Sequence, residues 1–156
     1  MNPKQKLEQA VHTWLAATPI TGIASTSIYK GVDNPLEVDS EENAGDRETK
    51  VHPSVTIEAE GQHEEFIPFS NVFLGALSVT VEADAFNTKD TDFDTLCTAV
   101  FDRFNIVELA AEISASLATF TVQFAQVTSI GSSVNNGTNW QAIMTIDMAY
   151  SESDHA

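Results

Sequence analysis

The hydrophobic period of this chain switches between two and about 3.6 residues along its length, and the order of those switches constrains the fold. From Val51 to Glu60, Val55, Ile57 and Ala59 fall on one side of a two-residue repeat, with Thr56, Glu58 and Glu60 on the other. From Asn71 to Ala85 the repeat resumes, as Leu77, Val79, Val81 and Ala83 alternate with Ser78, Thr80, Glu82 and Asp84. Such alternation marks strands with one buried and one wet face, as antiparallel sheets allow. Gly61 is expected to break the first of these strands. The spacing then becomes helical. Phe93, Leu96, Cys97, Val100, Phe101 and Phe104 recur three and four apart, and Ile106, Leu109, Ala110, Ile113 and Leu117 form a second buried stripe. Thr91 with Asp94 reads as the N-cap and acidic first turn of one helix, and Asn105 with Glu108 as a capping box for the next. Alternation returns in Phe120, Val122 and Phe124. After the turn-rich stretch Gly131 to Gly137 it continues through Trp140, Ala142, Met144, Ile146, Met148 and Tyr150.

The N-terminal segment is also helical in period, with Leu7, Ala10, Val11, Trp14 and Leu15 on one stripe, Pro3 in the first turn, and Pro19 and Gly22 closing it. Ile20 to Tyr29 reads as a strand. The order helix, strand, strand, strand, helix, helix, strand, strand predicts an α+β domain. A mainly antiparallel sheet of about five strands is packed by the N-terminal helix and a central helix pair. One domain spans residues 1–150, and 151–156 is a frayed C-terminal tail.

Residues 31–50 differ in character. They hold seven acids (Asp33, Glu37, Asp39, Glu41, Glu42, Asp46 and Glu48) and few large apolar groups. Such a stretch cannot bury enough surface to offset its ordering entropy, so a long acidic loop is expected. It adds to a strong imbalance of 23 acids against 7 bases, a net charge of −16. That charge argues against binding nucleic acid or an anionic membrane surface.

Little points to catalysis. Cys97, the only cysteine, excludes an intrachain disulfide or a thiolate zinc site, and its place on an apolar helical stripe reads as an inert buried thiol. The histidines His12, His52, His63 and His155 show no metal-ligand spacing, and His63 beside Glu64 and Glu65 lacks further ligands. His12, at the edge of the first stripe, reads as a partly buried structural side chain. Asp90, Asp92 and Asp94 imitate a calcium loop, yet Thr95 stands where glycine is needed and Phe101 where glutamate is. Phosphate-binding glycine loops and the nucleophile-elbow motif are missing. No enzyme activity, cofactor or metal is expected. The N-terminus lacks a secretory apolar run, and no stretch approaches the ~20 apolar residues of a membrane span. A cytosolic chain is expected.

The sequence resembles the tail terminator (tail-completion, neck) proteins of long-tailed bacteriophages over roughly residues 4–150. The resemblance lies in the amphipathic KLEQAVHTWLAA leading to a strand, in the strand opening His52-Pro53-Ser54-Val55-Thr56-Ile57 after a polar loop, and in LSVTVEADA running into TDFDTLCTAVFDRFN. It lies also in the closing hairpin FTVQFAQV, GSSVNNGTN, WQAIMTIDMAY. It implies a structural virion protein, assembled in the host cytoplasm and placed at the tail neck. Its subunits would form a homo-oligomeric, hexameric ring that caps the tail tube protein and joins it to the head-side connector or adaptor. DNA would pass through without being bound. On that reading Asp39, Glu41 and Glu42 would face the channel or an adjoining ring, against the alternative of a solvated outer loop. Ile143 and Ala149 make the second face of the last strand apolar, which fits either a subunit contact or cover from the chain itself. The competing reading from another class is a small intracellular binding module or accessory domain working as a monomer or dimer.

Overall fold

The computed structural model describes residues 2–31 and 50–152. Helix α1 (Pro3–Ala16) leads through a one-turn 3-10 segment (Ser25–Ser27) to a short β1 (Ile28–Lys30). The long strands β2 (Ser54–Glu65) and β3 (Val72–Asp84) follow, then α2 (Asp90–Phe104), α3 (Leu109–Ala115), β4 (Phe120–Ile130), β5 (Val134–Asn135) and β6 (Asn139–Glu152). The sheet order is β1-β2-β3-β6-β4, with β5 also on β6; β1 runs parallel to β2 and every other pairing is antiparallel. The domain is α+β, and its sheet has six strands because β5 adds a two-residue rung to the closing hairpin.

One face of the sheet carries the core. Val55, Ile57, Leu77, Val79, Val81, Met144, Ile146 and Tyr150 are fully buried with Leu7, Val11, Phe93, Phe104 and Ile113 of the helices. The inward phases of β2, β3 and β6 read from the sequence therefore hold, and Leu7, Ala10, Val11 and Leu15 of α1 face inward; Thr56, Ser78 and Glu82, expected on the wet face, are buried too. Helix α1 starts in a capping box the stripe did not reveal: the Asn2 side chain accepts from the Gln5 N–H, and the Gln5 side chain accepts from the Asn2 N–H. His12 donates to the Ile28 carbonyl through Nε2 at 2.8 Å, a structural tie between α1 and β1.

Several expectations are corrected. Ile20 to Tyr29 forms a single bridge, Ile20 to Ile23, then the 3-10 turn, and only its last two residues enter a strand. Gly61 does not end β2. With φ of +62° it sits in a bulge between Glu60 and Glu64, past which β2 pairs again with β3. Helix α2 begins at Asp90, so Thr91 lies inside it; the flanking Lys89 makes no side-chain cap, and Asp90 instead accepts from the Thr91 N–H at 2.7 Å. Asn105 starts no capping box either, since α3 begins at Leu109 and Ile106 is partly exposed. Phe124 does not join Phe120 and Val122 in the core. The register skips Gln123, which turns Phe124 outward and puts Ala125 and Val127 against the core in its place. Finally, β6 runs to Glu152 rather than fraying at 151; Glu152 is buried and forms an ion pair with Lys6 at 2.7 Å.

Candidate functional site

The sheet face away from the helices is polar over most of its area. Lys50 folds onto it and pairs with Glu82 at 3.0 Å. Apolar groups gather at the end where the β2–β3 hairpin turns. By register, Leu74 on β3 lies beside Ala149 on β6, which lies beside Phe124 on β4. Leu74 and Phe124 are exposed and flank a shallow pocket of about 390 Å³ together with Ala76, Asp147 and Met148. Ala149 is covered by these neighbours and is only 8% exposed, so its own chain rather than another subunit accounts for most of its burial. Ile143, farther along the same face beside Thr80, is 41% exposed and open to contact.

The hairpin tip extends this surface. Phe66, Ile67 and Phe69 are all exposed, Phe69 almost completely at 96%. The tip is nevertheless tightly built. Both oxygens of the Glu65 carboxylate are engaged, accepting from the N–H groups of Phe69 at 3.1 Å and Asn71 at 2.7 Å. The Ser70 N–H donates to the Ile67 carbonyl, and the Phe66 N–H to the Val72 carbonyl. Phe69 and Asn71 adopt positive φ of 67° and 59°, a conformation disfavoured for an aromatic residue. An apolar finger held in strained backbone is a recurring mark of a contact site. The signal was present in the sequence as the run Phe66-Ile67-Pro68-Phe69, which interrupts two alternating strands with apolar instead of turn residues.

Behind the finger, at the border of the core, lies a polar cluster. The His63 ring lies against Gly75, whose missing side chain leaves room for it. Its Nε2–H donates to the Ala76 carbonyl at 3.0 Å, and Nδ1 accepts from the buried Tyr150 hydroxyl at 2.6 Å. This tautomer follows from partner chemistry, because a carbonyl can only accept. Burial, aided by the nearby Lys4 charge, pushes the His63 pKa below its ordinary 6.5 despite the Ala76 bond. Burial, with a lesser contribution from Glu152, raises the Tyr150 hydroxyl well above its ordinary value. The cluster holds β2, β3 and β6 together. Cys97 is buried on α2 and its pKa is pushed up to about 11 by burial and then by Asp94, leaving a thiol with little nucleophilic character.

Among the described residues no three His, Cys, Asp or Glu side chains converge as metal ligands, and no helix is long and apolar enough to cross a membrane. Asp39, Glu41 and Glu42 lie outside the described residues. The exposed apolar features described above are the finger, the adjacent patch at Leu74 and Phe124, and Ile143. No protein-family model and no curated protein sequence matches this chain.

Proposed function

We propose that this chain is a structural subunit of a phage tail, a tail terminator whose copies close into a ring that caps the tail tube and joins it to the head-side connector. The observation that carries the reading is the exposed apolar finger Phe66-Ile67-Phe69, hydrogen-bonded at its base and set beside Leu74 and Phe124, since a packing subunit works through such surfaces. The order of elements, with an N-terminal helix, two long strands, a helix pair and a closing hairpin, adds support through the family resemblance. Heterologous contacts that close by rotation generate a ring. The finger and the Leu74–Phe124 patch lie together at one end of the sheet and would form one side of such a contact, the other side lying elsewhere on the neighbouring subunit. DNA then passes through the centre unbound, and Asp39, Glu41 and Glu42 would keep a negative wall toward it.

Electron microscopy of the purified protein, and of tailed particles labelled with an antibody to it, tests the proposal. Six-subunit rings or neck labelling are expected. Ile67→Asp with Phe69→Asp, both at exposed positions, should leave the fold intact and abolish incorporation. Particles that incorporate this double variant normally would end the reading. Changing Asp39, Glu41 and Glu42 to Lys should slow DNA release, and normal ejection would remove the channel role from these acids. The second reading, a small binding module working as a monomer or dimer, uses the same finger against a single partner. A defined one-to-one complex without a ring would favour it.

A further inference from the structure

The two edges of the sheet are finished differently. On the β2 side, β1 pairs with Val55 to Ile57, and the Gly31 N–H donates to the Ile57 carbonyl at 2.7 Å. The Ala59 N–H donates to the buried Glu8 carboxylate at 2.8 Å, and the Lys4 ammonium donates to the Gly61 carbonyl at 2.6 Å. Several β2 backbone groups that would template another strand are thereby paired within the chain. Glu58, Glu60, Glu64 and Glu65 add like charge along the same edge.

The β4 edge has no such treatment beyond its first turn of chain. Ser114 of α3 accepts from the Val122 N–H at 2.8 Å. From Phe124 to Ile130, among the described residues, no strand lies on the far side. This segment contains no charge, proline or glycine, and it belongs to a run of 34 residues, Ile113 to Ile146, without a single Asp, Glu, Lys, Arg or His. In a chain of net charge −16, that run is where another copy can approach without like-charge opposition. The ladder fixes which groups face outward. Thr138 accepts from the Ala85 N–H on β3's side, and Ile143 accepts from the Gly131 N–H on β4's side, so even residues of β6 bond toward β3 and odd ones toward β4. Phe124 and Gln126, opposite Ala149 and Asp147, therefore bond inward. Ala125 and Val127, opposite Met148 and Ile146, turn their N–H and C=O groups to the open edge. The skipped residues Gln123 and Thr128 bound this regular stretch.

We infer that β4 is a self-pairing edge, onto which a second copy of this chain adds its own β4, antiparallel, about a two-fold axis at Gln126. In this register Ala125 of each copy exchanges both backbone hydrogen bonds with Val127 of the other, and Gln126 faces Gln126 as the non-bonded pair between them. No shift by one residue works, because it would oppose inward-bonding groups. The same edge serves both copies, as an isologous contact requires, and the facing side chains are uncharged. The short regular stretch makes the pair weak and concentration-dependent. It uses the backbone edge of β4, whereas the proposed ring contact uses side chains on the adjoining sheet face, with Phe124 at the border of the two.

Three substitutions test it on the full chain. In Gln126→Cys the facing Cα atoms would lie ~4.5 Å apart, within disulfide range, so mild oxidation should give a covalent dimer. The parent, with only the buried Cys97, should not cross-link. By sedimentation equilibrium the parent should reach twice its 16.9 kDa mass at high micromolar concentration. Gln126→Lys, which sets like charges opposite each other, should weaken that association by up to about fivefold. Ala125→Pro, which deletes an outward N–H and spares the β6 ladder, should weaken it as well, both variants keeping the parent's circular dichroism. A parent that stays monomeric with no Gln126→Cys cross-link overturns the inference and leaves the edge to a strand of another protein. Association untouched by Gln126→Lys and Ala125→Pro overturns it too. A six-subunit species that survives both variants would uphold the ring while refuting the edge pair, so the two failures are distinguishable.

Discussion

His63 shows how a single side chain ties this core to pH. Its pKa is lowered in the folded protein, so the unfolded chain binds the proton more readily. Its contribution to stability is fully present above the ordinary 6.5 and is lost as pH falls from there through the depressed folded value. Urea unfolding between pH 7 and 5 should therefore show stability declining with acid, with a shallower decline in His63→Gln. Gly75→Ala would drive a methyl into the His63 ring and should cost about 1–3 kcal/mol by thermal melting. Thr56 is the opposite case. Its hydroxyl is buried and, among the described residues, without a hydrogen-bond partner, so Thr56→Val should be neutral or stabilising by up to about 1 kcal/mol. The apolar positions were legible in the sequence because each sits in a period. The partners of His63 were not, because Ala76 and Tyr150 lie 13 and 87 residues away.

Elements were read best where the period was long and unbroken. The inward phases of β3 and β6 came out as expected and Ile146 is fully buried, whereas Ser78 and Glu82, expected on the wet face of β3, are buried as well. Ile146→Asp should cost roughly 3–5 kcal/mol by leaving an uncompensated buried charge; an unchanged melting curve would contradict that placement. Bulges defeated the reading, since one extra residue inverts every side chain beyond it. At Gly61 the strand continued where a break was expected, and at Gln123 the bulge moved Phe124 from the core to the surface patch. Caps were misplaced as well. Thr91 and Asn105 have the right chemistry, but α2 begins at Asp90 and α3 at Leu109, with Phe93 and Leu109 buried in their first turns and no side-chain cap on either. The hairpin finger depends on one carboxylate. Glu65→Ala should speed amide exchange at Phe69 and Asn71 by about tenfold, the factor that ~1.4 kcal/mol of lost hydrogen bonding gives, with little change in the global melt.

At the scale of the whole molecule, a net charge of −16 opposes compaction and association alike. Raising ionic strength from 0.01 to 0.15 M shortens the screening length from ~30 to ~8 Å, so the melting temperature and any self-association should both rise over that range. A melt independent of salt would show that the charges are spaced too widely to matter. The sequence by itself determined the fold class, the inward face of the long strands and the stripe of α1, because local period and burial are the same statement in an amphipathic element. It also determined the charge-free run from Ile113 to Ile146. Only the tertiary structure decided that β4 and not β6 is the outer strand, that Glu8 and Lys4 close the opposite edge, and that Leu74, Phe124 and the Phe66–Phe69 finger share one end of the sheet. These depend on strand order and register. Both are set by pairings between residues far apart in the chain, which no local pattern encodes.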